Sequence, residues 1–357
     1  MAKLGELYSI TSGGTPSRKH PEYFEDGTIS WVKTGDLKDK YLYITDEKIT
    51  QKALDNSSAK LYPAETVLIA MYGATIGATS ILKIDAATNQ ACAAFVKRDD
   101  ILPQYLHAFL ESQRERFIRE AVGGAQPNIS AGYLKKIDFP MCSMKKQKEV
   151  TTVLELLSNL INYRKLQLEK LDELVKSRFI EMFGDPIRNT QNRPTTDFIN
   201  VVKMQRGFDL PVQDRQQDGN IPVFGSNGAL ARHNVAKVQG GGVITGRSGT
   251  IGKVYYTEGD YWPLNTSLFS VDTHGNNIIY LAYLLKMYDL SRFTEGTGVP
   301  TLNRNKFHNE PIIDVSLLEQ ETFAAFVKQV DKSKLAVQKS LEQLEILKKS
   351  LMQAYFG

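Results

Sequence analysis

Residues 240–254, which read GGGVITGRSGTIGKV, are the part of this sequence that most resembles a phosphate-binding loop. A Walker-type loop needs a Gly, four residues and then Gly-Lys-Ser/Thr, so that backbone N–H groups and the Lys surround the phosphates and the hydroxyl binds Mg²⁺. Here Gly246 lies one residue too far from Gly252 and Lys253, and Val254 replaces the hydroxyl. The dinucleotide spacing G-x-G-x-x-G fails as well, because Thr245 stands at its third glycine position. We therefore interpret the glycines as turn and bulge positions between strands.

Other residue types that perform catalysis occur without the spacing that catalysis needs. The five histidines follow no metal-ligand spacing, and the two cysteines, Cys92 and Cys142, form no close pair. The chain contains neither a Gly-x-Ser-x-Gly nucleophile motif nor the Asn/Asp-Pro-Pro-aromatic signature of an amino-methyltransferase. These observations predict a protein that is not an enzyme and that binds no metal or cofactor of its own.

Length and composition indicate a globular protein of two or three domains. The chain has 357 residues, of which 42% are hydrophobic and 24% charged, which is ordinary for such proteins. A net charge of +4 is too small for strong overall attraction to nucleic acid, so DNA binding would depend on local patches. No secretory signal or membrane-spanning stretch is visible, and we expect a cytoplasmic protein that does not bind a membrane.

The sequence contains an internal duplication. Residues 74–77, Ala-Thr-Ile-Gly, recur as Gly-Thr-Ile-Gly at 249–252, an offset of 175 residues. At the same offset, the Tyr-Leu of Tyr105 and Leu106 recurs at Tyr280 and Leu281. Self-similarity at a constant offset is the signature of an internal repeat, so the sequence predicts two copies of one domain.

Each copy ends in a long helical pattern. A four-three spacing of apolar residues runs through residues 147–184 and again, at an offset of 173, through 320–357. This heptad seam is interrupted only by basic residues, namely Arg164, Arg178, Lys334 and Lys348. A heptad repeat sustained over about five heptads is typical of a coiled coil.

These patterns predict an α+β protein with two mixed α/β domains, each with a curved β core, separated by two long antiparallel coiled-coil helices. Duplication favours a pseudo-twofold relation between the copies. We expect domains at residues 1–146 (the first block) and 186–319 (the second block), with the long helices at 147–185 and 320–357. Small helices are expected near residues 105–119 and 280–291.

This organisation resembles the specificity (S) subunit of Type I restriction-modification systems. Several local phrases share the resemblance, in the same order: SGGTPS (12–17), ISWVKTGDL (29–37), YGATIG (72–77), QPNIS (126–130) and LDELVKSRFIEMFGDP (171–186). The second copy departs from the first in its opening, where MQRGFDLP (204–211) replaces SGGTPS.

The resemblance implies a non-catalytic subunit that reads a discontinuous target in double-stranded DNA. In that family each globular block is a target recognition domain for one half of the target. The helices set the spacing and bind two modification (methyltransferase) subunits, which supply S-adenosylmethionine. Restriction (translocase/endonuclease) subunits complete the complex.

Side chains that could contact DNA are donors and acceptors on polar loops, because base edges and phosphates are recognised by such groups. In the first copy the candidates are Thr11, Ser12, Gly13, Gly14, Thr15, Ser17, Arg18, Lys19, Lys33, Thr34, Asp36, Lys38 and Tyr72. In the second copy they are Gln205, Arg206, Gly207, Ser226, Asn227, Arg247, Ser248, Asn303, Arg304, Asn305 and Lys306. For each residue the alternative is an ordinary solvated turn.

Arg247 is the sharpest single candidate. By the offset of 175, Tyr72 takes its place in the first copy, and a different polar group at one backbone position would let two similar blocks read different bases. A surface salt bridge is the alternative role for Arg247.

Two other functions remain open at this point. One is a coiled-coil scaffold with two protein-binding heads, which would show no salt-dependent affinity for DNA. The other is a nucleotide-dependent enzyme that uses residues 240–253, which would show saturable nucleotide binding.

Overall fold

A computed structural model of the protein describes residues 1–123, 127–216, 218–296 and 300–357. Gln126 of the phrase QPNIS lies outside the described residues. The chain divides into two compact units, and each contains parts of both long helices: unit 1 is Met1–Tyr163 with Ser340–Gly357, and unit 2 is Arg164–Lys339. Within the described ranges, no helix combines the length and apolar character needed to cross a membrane.

Eleven strands and the first part of a long helix are described in unit 1. The strands are β1 (Ala2–Lys3), β2 (Thr11–Ser12), β3 (Ile29–Val32), β4 (Tyr41–Leu42), β5 (Glu47–Ile49), β6 (Lys60–Tyr62), β7 (Val67–Ala70), β8 (Thr79–Leu82), β9 (Ala86–Thr88), β10 (Cys92–Phe95) and β11 (Asp138–Phe139). The helices are α1 (Leu4–Leu7), α2 (Gln51–Asp55), α3 (Pro103–Ser112), α4 (Arg114–Glu120), α5 (Ala131–Lys135) and the long α6 (Met144–Phe183), which continues into unit 2.

The described residues of unit 2 also form eleven strands. They are β12 (Thr195–Asp197), β13 (Lys203–Arg206), β14 (Ile221–Gly225), β15 (Gly228–His233), β16 (Gly242–Gly246), β17 (Val254–Thr257), β18 (Trp262–Pro263), β19 (Ser267–Asp272), β20 (Thr294–Glu295), β21 (Thr301–Leu302) and β22 (Pro311–Ile313). The helices are α7 (Phe198–Val201), α8 (Ile278–Tyr288), α9 (Arg304–Phe307) and the long α10 (Leu317–Phe356), which continues into unit 1.

Each described sheet of unit 1 has a counterpart in unit 2, which adds the short pair β20-β21. Strand order β2-β10-β7-β8 in unit 1 corresponds to β13-β19-β16-β17 in unit 2, and unit 1 adds β4 at one edge. In a second sheet, β3 pairs in parallel with β9, as β14 does with β18. A short pair, β1 with β11 or β12 with β22, closes each block. The mixed α/β fold expected from the sequence is therefore confirmed, as a duplicated architecture.

Residues 240–254 form a β-hairpin. β16 pairs antiparallel with β17, and the segment after the turn is a strand, whereas a phosphate-binding loop leads into a helix. Gly249 and Gly252 adopt φ values of +81° and +79°, a left-handed conformation that favours glycine. At Gly246 a Cβ would lie 1.7 Å from the carbonyl oxygen of Thr250. The glycines thus permit a tight turn and a close backbone approach.

The heptad seam is the inner face of both long helices. Every seam position from Val150 to Met182, and from Phe323 to Tyr355, is buried or half-buried. In unit 1 the ammonium of Lys146 on α6 lies 5.9 Å from the Tyr355 ring of α10. In unit 2 the rings of Phe179 and Phe323 pack edge to face, 5.5 Å apart. Each unit therefore combines opposite ends of α6 and α10, as expected of antiparallel helices.

A buried glutamine joins each long helix to its block. Gln147 is fully buried, accepts from the amide of Leu102 at 2.8 Å, and donates to the carbonyls of Asp100 and Cys142. Gln320, 173 residues later, accepts from the Asn277 amide at 2.9 Å and donates to Asn276 Oδ1 and the Val315 carbonyl. The glutamine that opens each repeated helical pattern thus links that helix to the start of α3 or α8.

Candidate nucleic-acid interface

Residues 11–15 lie against the loop that follows β9. Thr11 and Ser12 pair with β10, while the amides of Gly13 and Gly14 donate to the side chain and carbonyl of Thr88. A Cβ on Gly13 would lie 1.9 Å from the Thr88 carbonyl oxygen, so a glycine is required there by close approach. Thr15 Oγ1 donates to Gln90 Oε1 at 2.5 Å. This segment is therefore held by the sheet and presents its polar groups from a fixed backbone.

Glu47 connects the two polar loops of the first copy. It accepts from Arg18 at 2.5 Å and from Lys33 at 2.6 Å. The hydrogen bond from Lys33, followed by that from Arg18, lowers the pKa of Glu47. Arg18 also lies 4.2 Å from the centroid of the Phe24 ring. A DNA phosphate would compete with Glu47 for both cations.

The remaining candidates of the first copy are more open. Asp36 accepts from the Lys33 amide at 2.7 Å and so shapes its own loop, and Thr34 is half-buried in the same turn. Ser17, Lys19 and Lys38 are exposed, and the ammonium groups of Lys19 and Lys38 make no ion pair with any described residue.

Tyr72 lies next to the same loop as Gln90. The Met71 amide donates to the carbonyl of Ala91 at 2.8 Å, and Tyr72 forms a bridge with Asn128. The half-buried Tyr72 is consequently brought close in the fold to residues 89–91, which also contact residues 13–15.

Arg247 and Ser248 form the corresponding junction in the second copy. Both amides donate to the carbonyl of Thr266, and the Arg247 carbonyl accepts from the Leu302 amide at 2.8 Å. Ser248 also forms a bridge with Thr301. The Arg247 side chain is half-buried and makes no hydrogen bond or ion pair with the residues that the structure describes. The salt bridge considered as its alternative role is not formed among them.

Two further segments of the second copy lie beside this junction. The Lys253 ammonium donates to Asn227 Oδ1 at 3.1 Å, and Gly246 closely approaches the Ser226 carbonyl. Gln205 and Arg206 pair with β19, and the Gly207 amide donates to the carbonyl of Ser267, the residue after Thr266.

Some of the side chains at residues 303–306 already have partners within the second block. Asn303 caps α9 by accepting from the Asn305 amide at 3.1 Å and donates to Glu295 at 2.8 Å. Lys306 pairs with the same carboxylate at 3.1 Å. Arg304 is half-buried and Asn305 is exposed.

Backbone hydrogen bonds show that Tyr72 is not the equivalent of Arg247, as the constant offset had suggested. Met71 donates to Ala91 and accepts from Ile129, as Arg247 donates to Thr266 and accepts from Leu302. Met71 is therefore the structural equivalent of Arg247, and Tyr72 corresponds to Ser248, since both form the bridge to the equivalent residues Asn128 and Thr301. The offset is 176 before the turn and 175 after it, because the first copy has one extra residue in the turn. A buried methionine, rather than a tyrosine, occupies the Arg247 position.

Sequence reasoning did not select the loop between β9 and β10. Gln90 is exposed and contacts Thr15, and its equivalent Asn265 donates to Asp209. The sequence does contain a signal that could have identified this loop. In each copy a pair of polar residues, Asn-Gln or Asn-Thr, lies between two apolar strands, at an offset close to 175.

The sequence profile of the Type I restriction modification DNA specificity domain matches residues 1–172 and 188–346. The chain is 30% identical over 196 residues to the Type I restriction enzyme MjaIX specificity subunit of Methanocaldococcus jannaschii, covering 53% of this chain and 45% of the relative. It is 27% identical over 164 residues to the EcoR124I/EcoR124II specificity subunit of Escherichia coli, covering 44% and 41%. The chain thus matches less than half the length of these two relatives. The match to the E. coli EcoprrI specificity subunit covers 92% of this chain and 86% of the relative at 22% identity.

Two solved structures share the fold along nearly the whole chain. A Type I restriction-modification S subunit from M. genitalium superposes with a TM-score of 0.62 at 15% identity, covering 99% of this chain and 95% of its own. A chain from a type I R-M system studied for complex assembly and conformational transition gives 0.67 at 15% identity, covering 99% and 96%. With both repeats matched by the sequence profile, the chain belongs to the Type I restriction modification DNA specificity family, whose members are non-catalytic recognition subunits.

Proposed function

We propose that this chain reads a bipartite, discontinuous DNA target, with one half-site contacted by each block. The observation that carries the proposal is the repeated junction described above. Equivalent backbone hydrogen bonds hold Met71-Tyr72 in one copy and Arg247-Ser248 in the other. This frame presents the Arg247 side chain in the second copy, and in the first copy it presents Tyr72 beside the buried Met71. The two blocks would thereby read different bases, since base edges differ in their donors and acceptors.

Within each block we assign the DNA contacts to the candidate loops and add Gln90 and Asn265. Arg247, Arg206 and Arg304 make no side-chain ion pair with the described residues, so their guanidinium groups are free to bind guanine or phosphate. Arg18, Lys33 and Lys306, which pair with carboxylates, would serve as phosphate contacts only after exchanging partners.

The long helices are proposed to set the distance between half-sites and to bind two modification subunits, which would supply S-adenosylmethionine and methyl transfer. Leu174 on α6 and Leu347 on α10 support this proposal. They stand at equivalent positions, 173 residues apart, and are 47% and 46% exposed. Exposed leucines repeated in both copies are suited to two identical apolar contacts. Restriction subunits would join the same complex.

The test is sequencing of methylated bases in the host genome with and without this gene. The expected result is one class of sites lost on deletion, with two specified halves separated by unspecified bases. A continuous target, or an unchanged methylation pattern together with no salt-dependent DNA affinity of the purified chain, would exclude the proposal.

The nucleotide-dependent enzyme has no structural support, because residues 240–254 form a hairpin between strands rather than a loop leading into a helix. The scaffold with protein-binding heads remains distinguishable by DNA binding. It predicts no loss of affinity with rising salt, whereas phosphate contacts release counterions and make affinity fall steeply.

A further inference from the structure

The surfaces on which each block rests against the long helices carry opposite charges at equivalent positions. Three pairs of equivalent residues show the reversal: Lys83 and Glu258 after β8 and β17, Glu111 and Lys286 at the ends of α3 and α8, and Glu155 and Lys328 on the long helices. The first two pairs follow the offset of 175, and the last follows 173. All these residues lie at or near the joint between a block and a helix.

In unit 1 the block supplies the cations to α6. Lys40 forms an ion pair with Glu155 on α6, and the Tyr41 hydroxyl donates to the same carboxylate at 2.9 Å. Lys83 pairs with Glu65 of the same block at 2.5 Å and lies 4.8 Å from the Tyr41 ring. Burial would raise the pKa of Glu155, but the hydrogen bonds from Lys40 and Tyr41 and the nearby charges lower it.

On the other side of the same joint, the block supplies an anion to α10. Glu111 at the end of α3 pairs with Lys348 at 3.2 Å. A cavity of about 660 Å³ lies between these two ion pairs and is lined by Gln104, His107, Asn159 and Asn162 among others. A further ion pair joins Glu115 of the block to Lys349 of α10 at 3.7 Å. The joint of unit 1 therefore contains ion pairs in which the block supplies the cation and others in which it supplies the anion, with polar groups between them.

In unit 2 the block supplies the anion to α10. Glu258 pairs with Lys328 on α10 at 2.6 Å, and the Tyr256 hydroxyl donates to Asp331 at 3.2 Å. The first copy has Ile81 and Ser158 at the positions of Tyr256 and Asp331. Here the cation of the block is Lys286, which borders a cavity of about 550 Å³ together with Asp172 of α6.

We propose that these reversed charges make each block specific for its own helix. The first block fits the amino-terminal half of α6, and the second fits the amino-terminal half of α10. Because the two blocks share one fold, either helix could accommodate either block, and like charges brought together disfavour the wrong combination. In an exchanged arrangement Lys40 and Lys83 would face Lys328, and Glu258 would face Glu155. Tyr256 would meet Ser158 instead of a carboxylate. Lys83 would keep its ion pair with Glu65, and Asp331 would be an acidic group of α10 near Lys40.

The experiment compares one pair of helix substitutions in two full-length chains. One chain has the natural order, and in the other the blocks 1–143 and 184–316 are exchanged while both long helices stay in place. Each is made with and without Glu155→Lys together with Lys328→Glu, and thermal unfolding midpoints are measured at low and high salt. Lys148→Glu with Glu321→Lys is the matched control, because these exposed residues also have opposite charges at an offset of 173 but form no ion pair with described residues.

We expect the helix substitutions to lower the midpoint of the natural chain by about 2–4 °C and to raise that of the exchanged chain by a similar amount. Both shifts should shrink at high salt, and the control should shift neither chain. A change of the same sign in both chains would overturn the proposal.

If the exchanged chain does not fold, a cycle in the natural chain decides the question. Glu155→Lys should lower the midpoint, and adding Lys40→Glu should recover at least half of the loss. Lys83 is left unchanged because it pairs with Glu65 inside the block. Absence of recovery would overturn the proposal that charge makes the first block specific for α6. Since no DNA or partner enters either measurement, its outcome is independent of the proposed function.

Discussion

At the scale of single residues, the candidate cations differ in what they already bind. Arg18 and Lys33 share Glu47, whereas the guanidinium of Arg247 has no side-chain partner among the described residues. An arginine held at a rigid backbone position with unused donors suits bidentate recognition of guanine. The sequence identified Arg247 as a candidate from its loop. It could not show that Glu47 occupies Arg18 and Lys33, because that contact joins three separate segments of the chain.

Arg247→Ala should relax or abolish recognition only in the half-site read by residues 186–319. A bidentate arginine–guanine contact contributes about 1–3 kcal/mol of discrimination. Binding is measured at several salt concentrations to duplexes altered in one half-site at a time. Arg188→Ala, at an exposed position outside the candidate loops, is the control. Equal loss of affinity for all duplexes would identify Arg247 as a phosphate contact, and no change would remove it from the interface.

A second residue-scale prediction concerns His107 and pH. Burial lowers the pKa of His107 to about 4, and its Nε2 lies 3.3 Å from the Thr79 carbonyl. The unfolded chain binds this proton near pH 6.5 and the folded chain does not, so stability is full above pH 6.5 and falls as the pH drops towards 4. The loss amounts to roughly 3 kcal/mol.

His107→Gln should make the unfolding free energy less dependent on pH between 6.5 and 4.5, as measured by urea denaturation. His308 contributes in the same direction, because burial lowers its pKa too and its Nε2 accepts from the Met204 amide. Its effect is present in both proteins and cancels in the comparison. Identical pH profiles for wild type and variant would contradict the assignment.

At the scale of elements, the sequence predicted the periodic segments well but did not predict where they begin and end. The small helix expected near residues 280–291 is α8 (Ile278–Tyr288). Near residues 105–119, where small helices are expected, the chain forms α3 and α4, which meet at Gln113. Both long helices begin three residues before the predicted glutamine, since Ser143 and Ser316 lie at their starts and accept from amides three residues ahead. Caps are local features that a seam of apolar residues does not reveal.

Gln147→Met should destabilise unit 1 by about 2–3 kcal/mol. The substitution keeps the side-chain volume but leaves the Leu102 amide and two carbonyls without partners in a buried place. Gln320→Met should have a similar effect on unit 2, and Gln338→Met, at an exposed position, is the control. Hydrogen exchange at the starts of α3 and α8 would report which joint has loosened. A Gln147→Met variant as stable as the control would show that these hydrogen bonds contribute nothing net.

At the scale of the whole molecule, the duplication was fully visible in the sequence, whereas the division into compact units was not. The repeat suggests that each copy forms its own unit. Instead unit 1 recruits residues 340–357, and unit 2 recruits residues 164–183. Phe356 packs against Tyr105 and Phe109 of unit 1, just as Phe183 packs against Tyr280 of unit 2. Such contacts join residues far apart in the chain, and only the three-dimensional structure reveals them.

The equivalent exposed leucines lead to a prediction about assembly. Leu174→Glu and Leu347→Glu should each remove one modification subunit from the co-expressed complex, and the double variant should remove both. Leu166→Glu is the matched control, because Leu166 is 48% exposed but its equivalent is Lys339. Light scattering of the purified complexes gives the stoichiometry. A complex that keeps two modification subunits in the double variant would exclude these leucines as contacts.

The position of residues 340–357 also bears on the order in which the protein is built during translation. Unit 2 is one continuous stretch, Arg164–Lys339, and all of its parts have been synthesised before Ser340 is added. Unit 1 contains residues that precede unit 2 but lacks the ring of Phe356 until all of unit 2 has been synthesised. Domains commonly mature from the amino terminus onwards as the chain leaves the ribosome. In this protein the unit that is started before the other is finished after it, so the apolar face that receives Phe356 stays unfilled while the whole of unit 2 is synthesised.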